Sequence, residues 1–200
     1  MILPVTVYGH SVLREKGALI AETTDEIRTL ADNMIDTMRA ADGIGLAAQQ
    51  IGSALQLAVI DLTGAQETIS YLKVNGEEAP IDSIMPLIFT NPVIEALPSR
   101  EVDEEGCLSF PEIKARVTRP SEIKATMRLL DGSELIIETD GLLARAIQHE
   151  TDHLNGVLFI DRLPSAAKLG LKRKIRRMQD RYGTLIEYRE RDAEEEGESV

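Results

Sequence analysis

Two histidines stand four residues apart in a stretch with the apolar periodicity of a helix, and this spacing constrains the chain more than any other feature. The stretch reads H-E-T-D-H at residues 149–153, and the whole sequence of 200 residues has 3 His. Positions i and i+4 share a helix face, so His149 and His153 can both reach one metal ion, with Glu150 beside them as a base. Asp152 is expected to be a helix-surface or supporting carboxylate. The segment therefore predicts a catalytic metal site on a helix.

Two imidazoles leave such a site one protein ligand short, because a catalytic metal ion commonly has three. No His follows the motif, and the acids downstream lie on no obvious partner helix: Asp161, Asp180 and Glu187. Cys107 is the remaining candidate, since Gly106 permits close approach of the backbone and a thiolate suits a site with two histidines. The alternatives are a buried small side chain and a nucleophilic Cys–His pair, which would leave the glutamate and one histidine without a role.

A run of small residues at 43–50 follows the first predicted helix. It fails as a dinucleotide-binding fingerprint, because Ala48 stands where a glycine is required and a helix precedes it instead of a strand. Two interpretations remain: tight packing of a connector, or a backbone segment pressed against a substrate. In the second case the amide of Gln50 can donate a hydrogen bond to a developing oxyanion.

Composition narrows the class of protein further. The chain is 43% hydrophobic, which is enough for a sizeable core, and its net charge is −12. Such an acidic chain is a poor candidate for binding nucleic acid or anionic membranes. Its 1 Cys cannot form an internal disulfide, no apolar run is long enough to span a membrane, and the N-terminal region does not resemble a targeting peptide. A cytoplasmic protein is expected.

The periodicity predicts an α+β fold, with short antiparallel or mixed sheets around a central helix that carries the H-E-x-x-H motif, plus an N-terminal and a C-terminal helix. A capping box at Thr23 and Glu26 begins the first helix, residues 25–41. Asp140 is expected to cap the central helix, residues 141–153. Short apolar or alternating runs predict strands at 57–61, 87–91, 123–129 and 134–139. Asp-Gly at 131–132 predicts that the last two of these strands form a hairpin.

The domain prediction divides the chain into a catalytic domain, a helix and a tail. The catalytic domain covers residues 1–165, and 62–86 is expected to be an inserted surface loop with a partial strand at 69–74. Residues 166–189 are expected to form a C-terminal helix that is basic between 168 and 181. The acidic residues 190–200 are expected to be disordered.

Three motifs together resemble the peptide deformylases. That family is characterised by G-φ-G-φ-A-A-x-Q, E-G-C-φ-S and Q-H-E-x-D-H in this order, and the chain matches them at 43–50, 105–109 and 148–153. The resemblance covers about residues 1–165. It implies hydrolysis of the N-formyl group of formyl-methionyl nascent peptides, with release of formate. The long segment 62–86 and the acidic tail depart from the family pattern.

The resemblance also implies roles for individual residues. Cys107, His149 and His153 would hold one divalent ion, Fe²⁺ in the native state, although Zn²⁺, Ni²⁺ or Co²⁺ also suit such ligands. Water activated at the ion would be the nucleophile, and Glu150 would move its proton. Gln50 and the backbone N–H of Leu108 would stabilise the oxyanion. Further residues would border the substrate pocket: Ile44, Gly45, Glu105, Gly106 and Arg145.

Two other functions remain open at this point. A zincin-like metallopeptidase would use the two histidines with a downstream carboxylate and would keep its metal without Cys107. A non-hydrolysing module that binds formylated peptides would have no use for an intact Glu150 and Gln50. The basic helix suggests docking on the ribosome, and its alternative is a solvated helix that pairs with acidic neighbours.

Overall fold

A computed structural model of the chain describes residues 1–189. Its α-helices are α1 (Asp25–Ala40), α2 (Gly141–Leu154) and α3 (Ser165–Tyr182). Its strands are β1 (Val5–Thr6), β2 (Gly45–Ala47), β3 (Leu57–Ile60), β4 (Leu72–Val74), β5 (Glu77–Glu78), β6 (Leu87–Ala96), β7 (Arg100–Gly106), β8 (Lys114–Pro120), β9 (Glu122–Arg128), β10 (Glu134–Asp140) and β11 (Leu185–Ile186).

The main sheet is antiparallel and has the strand order β2-β3-β6-β9-β10-β4-β5. Helix α2 packs against β2 and β3, and α1 packs against the same two strands. The apolar side chains between α2 and the sheet are fully buried, among them Leu143, Ile147 and Phe89. This arrangement confirms the predicted α+β fold with a central helix.

Helix α1 begins at Asp25, as predicted, but its cap is one residue later than the predicted capping box. The side chain of Thr24, not Thr23, accepts a hydrogen bond from the backbone N–H of Ile27. The predicted cap of α2 also differs: Asp140 precedes the helix, but its carboxylate accepts from the backbone N–H groups of Ser70 and Tyr71. Asp140 therefore ties the start of α2 to the segment before β4.

The interpretation of residues 62–86 as an inserted surface loop was wrong, although the partial strand predicted at 69–74 is present as β4. This segment adds β4 and β5 to the edge of the main sheet, where β4 pairs with β10. Four of its apolar side chains lie in the core: Leu62, Ile69, Leu72 and Ile81. Hydrophobic residues that are spaced irregularly can still be buried when turns and short helical segments bring them to one face, so periodicity did not reveal them.

Two further strands were not predicted. Strand β7 pairs with β8 over its full length to form a separate two-stranded sheet. Five of the seven residues of β7 have acidic or basic side chains, at 100, 101, 103, 104 and 105, and the strand carries no apolar alternation. Strand β6 also continues past Pro92, where the register of its pairing with β9 shifts between Thr90 and Val93. Proline is tolerated at such an irregularity because no ladder hydrogen bond is needed there.

The C-terminal helix is shorter than predicted. Helix α3 ends at Tyr182 because Gly183 takes a positive φ of 63°, and β11 then pairs with β1. The predicted disordered tail, residues 190–200, lies outside the described residues. Within residues 1–189, no helix has the length and apolar character that crossing a membrane requires.

Candidate active site

The three side chains expected to bind a metal ion meet at one point. Cys107 directly follows β7, and His149 and His153 lie one turn apart on α2. Their ligand atoms are all within 4.8 Å of one another, and the Cys107 sulfur is 3.2 Å from Nε2 of His153. Both histidines are buried, and the cysteine is partly exposed. The fold therefore brings one sulfur and two ring nitrogens together at a point that solvent can reach.

A buried carboxylate sets the orientation of His149. Its Nδ1 lies 3.0 Å from Oε2 of Glu105. Burial by itself would raise the pKa of Glu105, but hydrogen bonds from His149 and Arg119 outweigh that effect and hold the pKa well below its usual range. Because the carboxylate is ionised, it accepts a hydrogen bond from Nδ1–H of His149. Nε2 is then the nitrogen available to a metal ion.

Glu105 belongs to a buried network of charged side chains that the sequence did not reveal. Arg119 is 3% exposed, donates to both oxygens of Glu105 and lies 2.8 Å from Asp152. Arg162 pairs with Asp152 as well, and Arg145 donates to Glu105 at 2.7 Å. Asp152 is thus a buried supporting carboxylate and not a helix-surface group. One sequence signal could have indicated that Arg119 is buried. Arg119 lies two residues after Val117 in β8, so both side chains point to the inward face of the strand.

Glu150 is buried beside the three ligands, and one of its oxygens has no partner. Within residues 1–189 no group hydrogen-bonds to Oε2 of Glu150. Burial raises the pKa of this carboxyl to about 7, and the nearby positive charges of His149 and Arg119 offset the rise in part. A carboxyl group that titrates near neutral pH can both take up and release a proton under working conditions.

Gly45 leaves room for Glu150 in this position. A Cβ atom on Gly45 would overlap Oε1 of Glu150, so any larger residue would displace the carboxylate. Gly45 lies in β2, which packs against α2. The run of small residues at 43–50 is therefore a backbone segment pressed against the helix that carries the motif.

Gln50 points its amide nitrogen at the metal-ligand cluster. Its Oε1 accepts a hydrogen bond of 2.9 Å from the backbone N–H of Ala47, which fixes the orientation of the amide. Its Nε2 lies 3.5 Å from the Cys107 sulfur and 3.3 Å from Oγ of Ser109. An N–H donor is thereby held next to the position where the ligand atoms converge.

These groups line a cavity of about 620 Å³. Ten of the eleven side chains predicted for the site border it: Ile44, Gly45, Gln50, Glu105, Gly106, Cys107, Leu108, Arg145, His149 and Glu150. The exception is His153, which is buried beside Cys107. Arg145 is 4% exposed, so it lies in the wall of the cavity and not on the outer surface of the protein. Tyr188 also lines the cavity, and no motif or spacing in the sequence indicates this position.

The donor set fits a divalent metal ion. One sulfur and two imidazole nitrogens within 4.8 Å of one another are donors that divalent transition-metal ions accept. Burial lowers the pKa of His153, so this ring is neutral and can act as a ligand. Three protein ligands next to an open cavity are the pattern of a catalytic metal ion, not a structural one. Fold and site together define a metal-dependent hydrolase.

Comparison with known proteins identifies the family. The family model described as polypeptide deformylase matches residues 2–169, and the chain belongs to this family. It is 46% identical over 175 residues to a peptide deformylase of Opitutus terrae, with 86% of this chain and 90% of that protein covered. It is 39% identical over 192 residues to one of Methylacidiphilum infernorum, with coverage of 96% and 100%.

Solved structures agree with this assignment. A peptide deformylase from Ehrlichia chaffeensis in complex with actinonin superimposes with a TM-score of 0.75 at 29% identity, covering 88% of this chain and 96% of that one. The enzyme from Thermotoga maritima gives 0.69 at 35% identity, with coverage of 82% and 99%. The chain is thus a metal-dependent hydrolase that removes the N-formyl group from nascent peptides, as its motifs predicted. The comparisons favour neither a zincin-like peptidase nor a non-hydrolysing module.

Proposed function

We propose that this chain deformylates formyl-methionyl peptides with Cys107, His149 and His153 as the metal ligands and Glu150 as the group that moves protons. The observation that carries this assignment is the buried, unpartnered Oε2 of Glu150 next to the three ligand atoms. A buried polar atom without a partner is costly, so such an atom at an open cavity points to a reactant. Fe²⁺ is the expected native ion, and Zn²⁺, Ni²⁺ or Co²⁺ suit the same sulfur and nitrogen donors.

When bound, a divalent ion lowers the pKa of water and polarises the formyl carbonyl. Glu150 accepts the proton that the attacking water loses and later delivers it to the leaving amine. Gln50 Nε2, held by its bond to Ala47, donates to the oxyanion of the tetrahedral intermediate, and the backbone N–H of Leu108 is the proposed second donor.

The walls of the cavity would receive the methionyl residue. Ile44 is 46% exposed and offers apolar surface, while Gly45 and Gly106 border the cavity without a side chain. Glu105 and Arg145 bond to each other and are therefore expected to shape the wall rather than to hydrogen-bond to the substrate.

The decisive experiment measures formate release from formyl-Met-Ala-Ser under anaerobic conditions, with metal analysis of the same sample. Glu150→Gln should retain one metal ion per chain and lose about 10²–10⁴-fold in kcat. Cys107→Ala should lose the ion. Activity of Glu150→Gln within threefold of the wild type would exclude Glu150 from the proton transfers, and a fully loaded Cys107→Ala would exclude the cysteine as a ligand.

We further propose that α3 docks on the ribosome and that the enzyme works in the cytoplasm, with residues 1–165 as its catalytic domain. The basic side chains of α3 are exposed, and five of them form no ion pair within residues 1–189: Lys172, Arg173, Lys174, Arg176 and Arg177. Contacts with phosphates should weaken steeply with salt. Co-sedimentation with ribosomes at low and high salt tests this, and an unchanged bound fraction after charge reversal at 173, 174, 176 and 177 would exclude it.

A further inference from the structure

The segment that follows α3 returns to the active-site cavity. Gly183 ends the helix with a positive φ of 63°, and the chain then runs antiparallel to β1, with Ile186 opposite Val5. The backbone N–H of Val7 donates to the carbonyl of Thr184 at 2.8 Å. Ile186 packs against the same apolar cluster as Cys107. Tyr188, two residues further on, is thereby carried to the cavity and lines it.

The end of α3, where this segment begins, is hydrogen-bonded to another residue of the cavity wall. Arg181 and Tyr182, the last residues of α3, both bond to the carboxylate of Glu112, at 2.8 Å in each case. Glu112 itself lines the cavity. The C-terminal segment is thus held at Glu112 before it turns and at β1 after it turns, and these two contacts direct the chain toward the cavity just before Tyr188.

The side chain of Tyr188 is available to a ligand. It is only partly buried, and within residues 1–189 its hydroxyl forms no hydrogen bond with another group. A tyrosine offers a rigid apolar ring and a polar tip, which is why it is frequent in binding surfaces. The cavity of about 620 Å³ is in the range that holds ligands larger than a single residue.

We propose that Tyr188 contacts the residues of the peptide that follow the formyl-methionine, and that it thereby determines which nascent chains are processed efficiently. Glu150, Gln50 and the metal ligands act on the formyl group, whereas Tyr188 reaches the cavity from the C-terminal segment. The contact adds affinity for peptides that extend beyond methionine and leaves the chemical step unaltered. This inference rests on the deformylase activity.

The test compares two substrates, formyl-Met-Ala-Ser and formyl-methionine methylamide, which ends after the methionine. The variants are Tyr188→Ala, which removes the ring, and Tyr188→Phe, which removes only the hydroxyl. Leu185→Ala is the matched control, because Leu185 is 50% exposed on β11 and does not line the cavity. Two shortened chains, one ending at Glu187 and one at Arg189, separate the effect of Tyr188 from that of residues 190–200.

For Tyr188→Ala we expect kcat/KM on the tripeptide to fall about 2- to 12-fold, the worth of one aromatic contact. The loss should lie in KM, and the methylamide should be unaffected. The chain ending at Glu187 should show the same loss as Tyr188→Ala. Both controls, the chain ending at Arg189 and the variant Leu185→Ala, should match the wild type. Tyr188→Phe keeps the ring, so its kcat/KM on the tripeptide should retain more than half of the gain that the ring provides.

An equal loss on both substrates, or no loss on either, would overturn the proposal, because a merely structural role changes both alike. If Tyr188→Ala does not fold, the comparison of the chain ending at Glu187 with the chain ending at Arg189 on the two substrates decides in the same way. Turnover of the methylamide by the wild type tests the activity itself. Its failure would therefore be distinguished from a failure of the proposal about Tyr188.

Discussion

Replacing Arg119 with Met should show how strongly the buried ion pairs stabilise the fold. The Arg119 side chain is 3% exposed and bridges Glu105 and Asp152. Removing one partner of a buried ion pair costs about 3–5 kcal/mol, because the remaining charge is left without compensation. Arg145 still pairs with Glu105 and Arg162 with Asp152, so we expect the lower end, about 3 kcal/mol.

The measurement is urea unfolding of the metal-free protein at pH 7, with Lys124→Met as the matched control. Both variants lose one positive charge and gain the same side chain. The pair between Lys124 and Glu138 spans 3.9 Å and is exposed by 43% and 38% at its two ends, so its loss should cost about 0–1 kcal/mol.

The same substitution should also affect metal binding through His149. With Arg119 gone, the carboxylate of Glu105 is less firmly held, and loss of such support for a ligand typically costs about 10–100-fold in metal affinity. If the free energies of unfolding of Arg119→Met and Lys124→Met differ by less than about 1 kcal/mol, the buried ion pairs of Arg119 do not stabilise the fold as proposed.

Three further predictions follow from the site. Gly45→Ala should displace Glu150 and lower kcat by about 10²-fold, whereas Gly170→Ala, where a Cβ meets nothing within 4 Å, should not; similar rates would refute the steric argument. In air the iron-loaded enzyme should lose activity by oxidation of the ion or of Cys107, and nickel-loaded enzyme should last longer; equal half-lives would speak against this. Because the pKa values of Glu105 and Asp161 are lowered from 4.5 and 3.8 in the folded state, their stabilisation is complete above those values and is lost as the pH falls below them; urea midpoints between pH 7 and 3 that do not fall would contradict it.

The sequence predicted those parts of the molecule in which one chemical requirement selects the residue. The H-E-x-x-H spacing has meaning only on a helix, and α2 carries it. Cys107 is the one cysteine in the chain, so it could be proposed as the third ligand without knowledge of the fold. Both inferences depend on local spacing or on residue type, which a sequence displays directly.

Features that arise from distant contacts could not be predicted in this way. The charged residues of β7 form a strand because β8 pairs with them, and no local pattern indicates that pairing. Arg119 looks like a surface side chain until Glu105 and Asp152 are seen to surround it. Tyr188 reaches the cavity only because β11 pairs with β1, which lies at the other end of the chain.

This pairing of the two ends has a consequence for the synthesis of the protein. Residues 5–6 of β1 leave the ribosome long before residues 185–186 of its partner β11. Contacts between residues so far apart in sequence form late in folding, and until then β1 presents an unpaired edge that can pair with another chain. A chain that is released before residue 185 would therefore contain all strands of the main sheet but would leave β1 unpaired, and such intermediates are candidates for aggregation and for capture by chaperones.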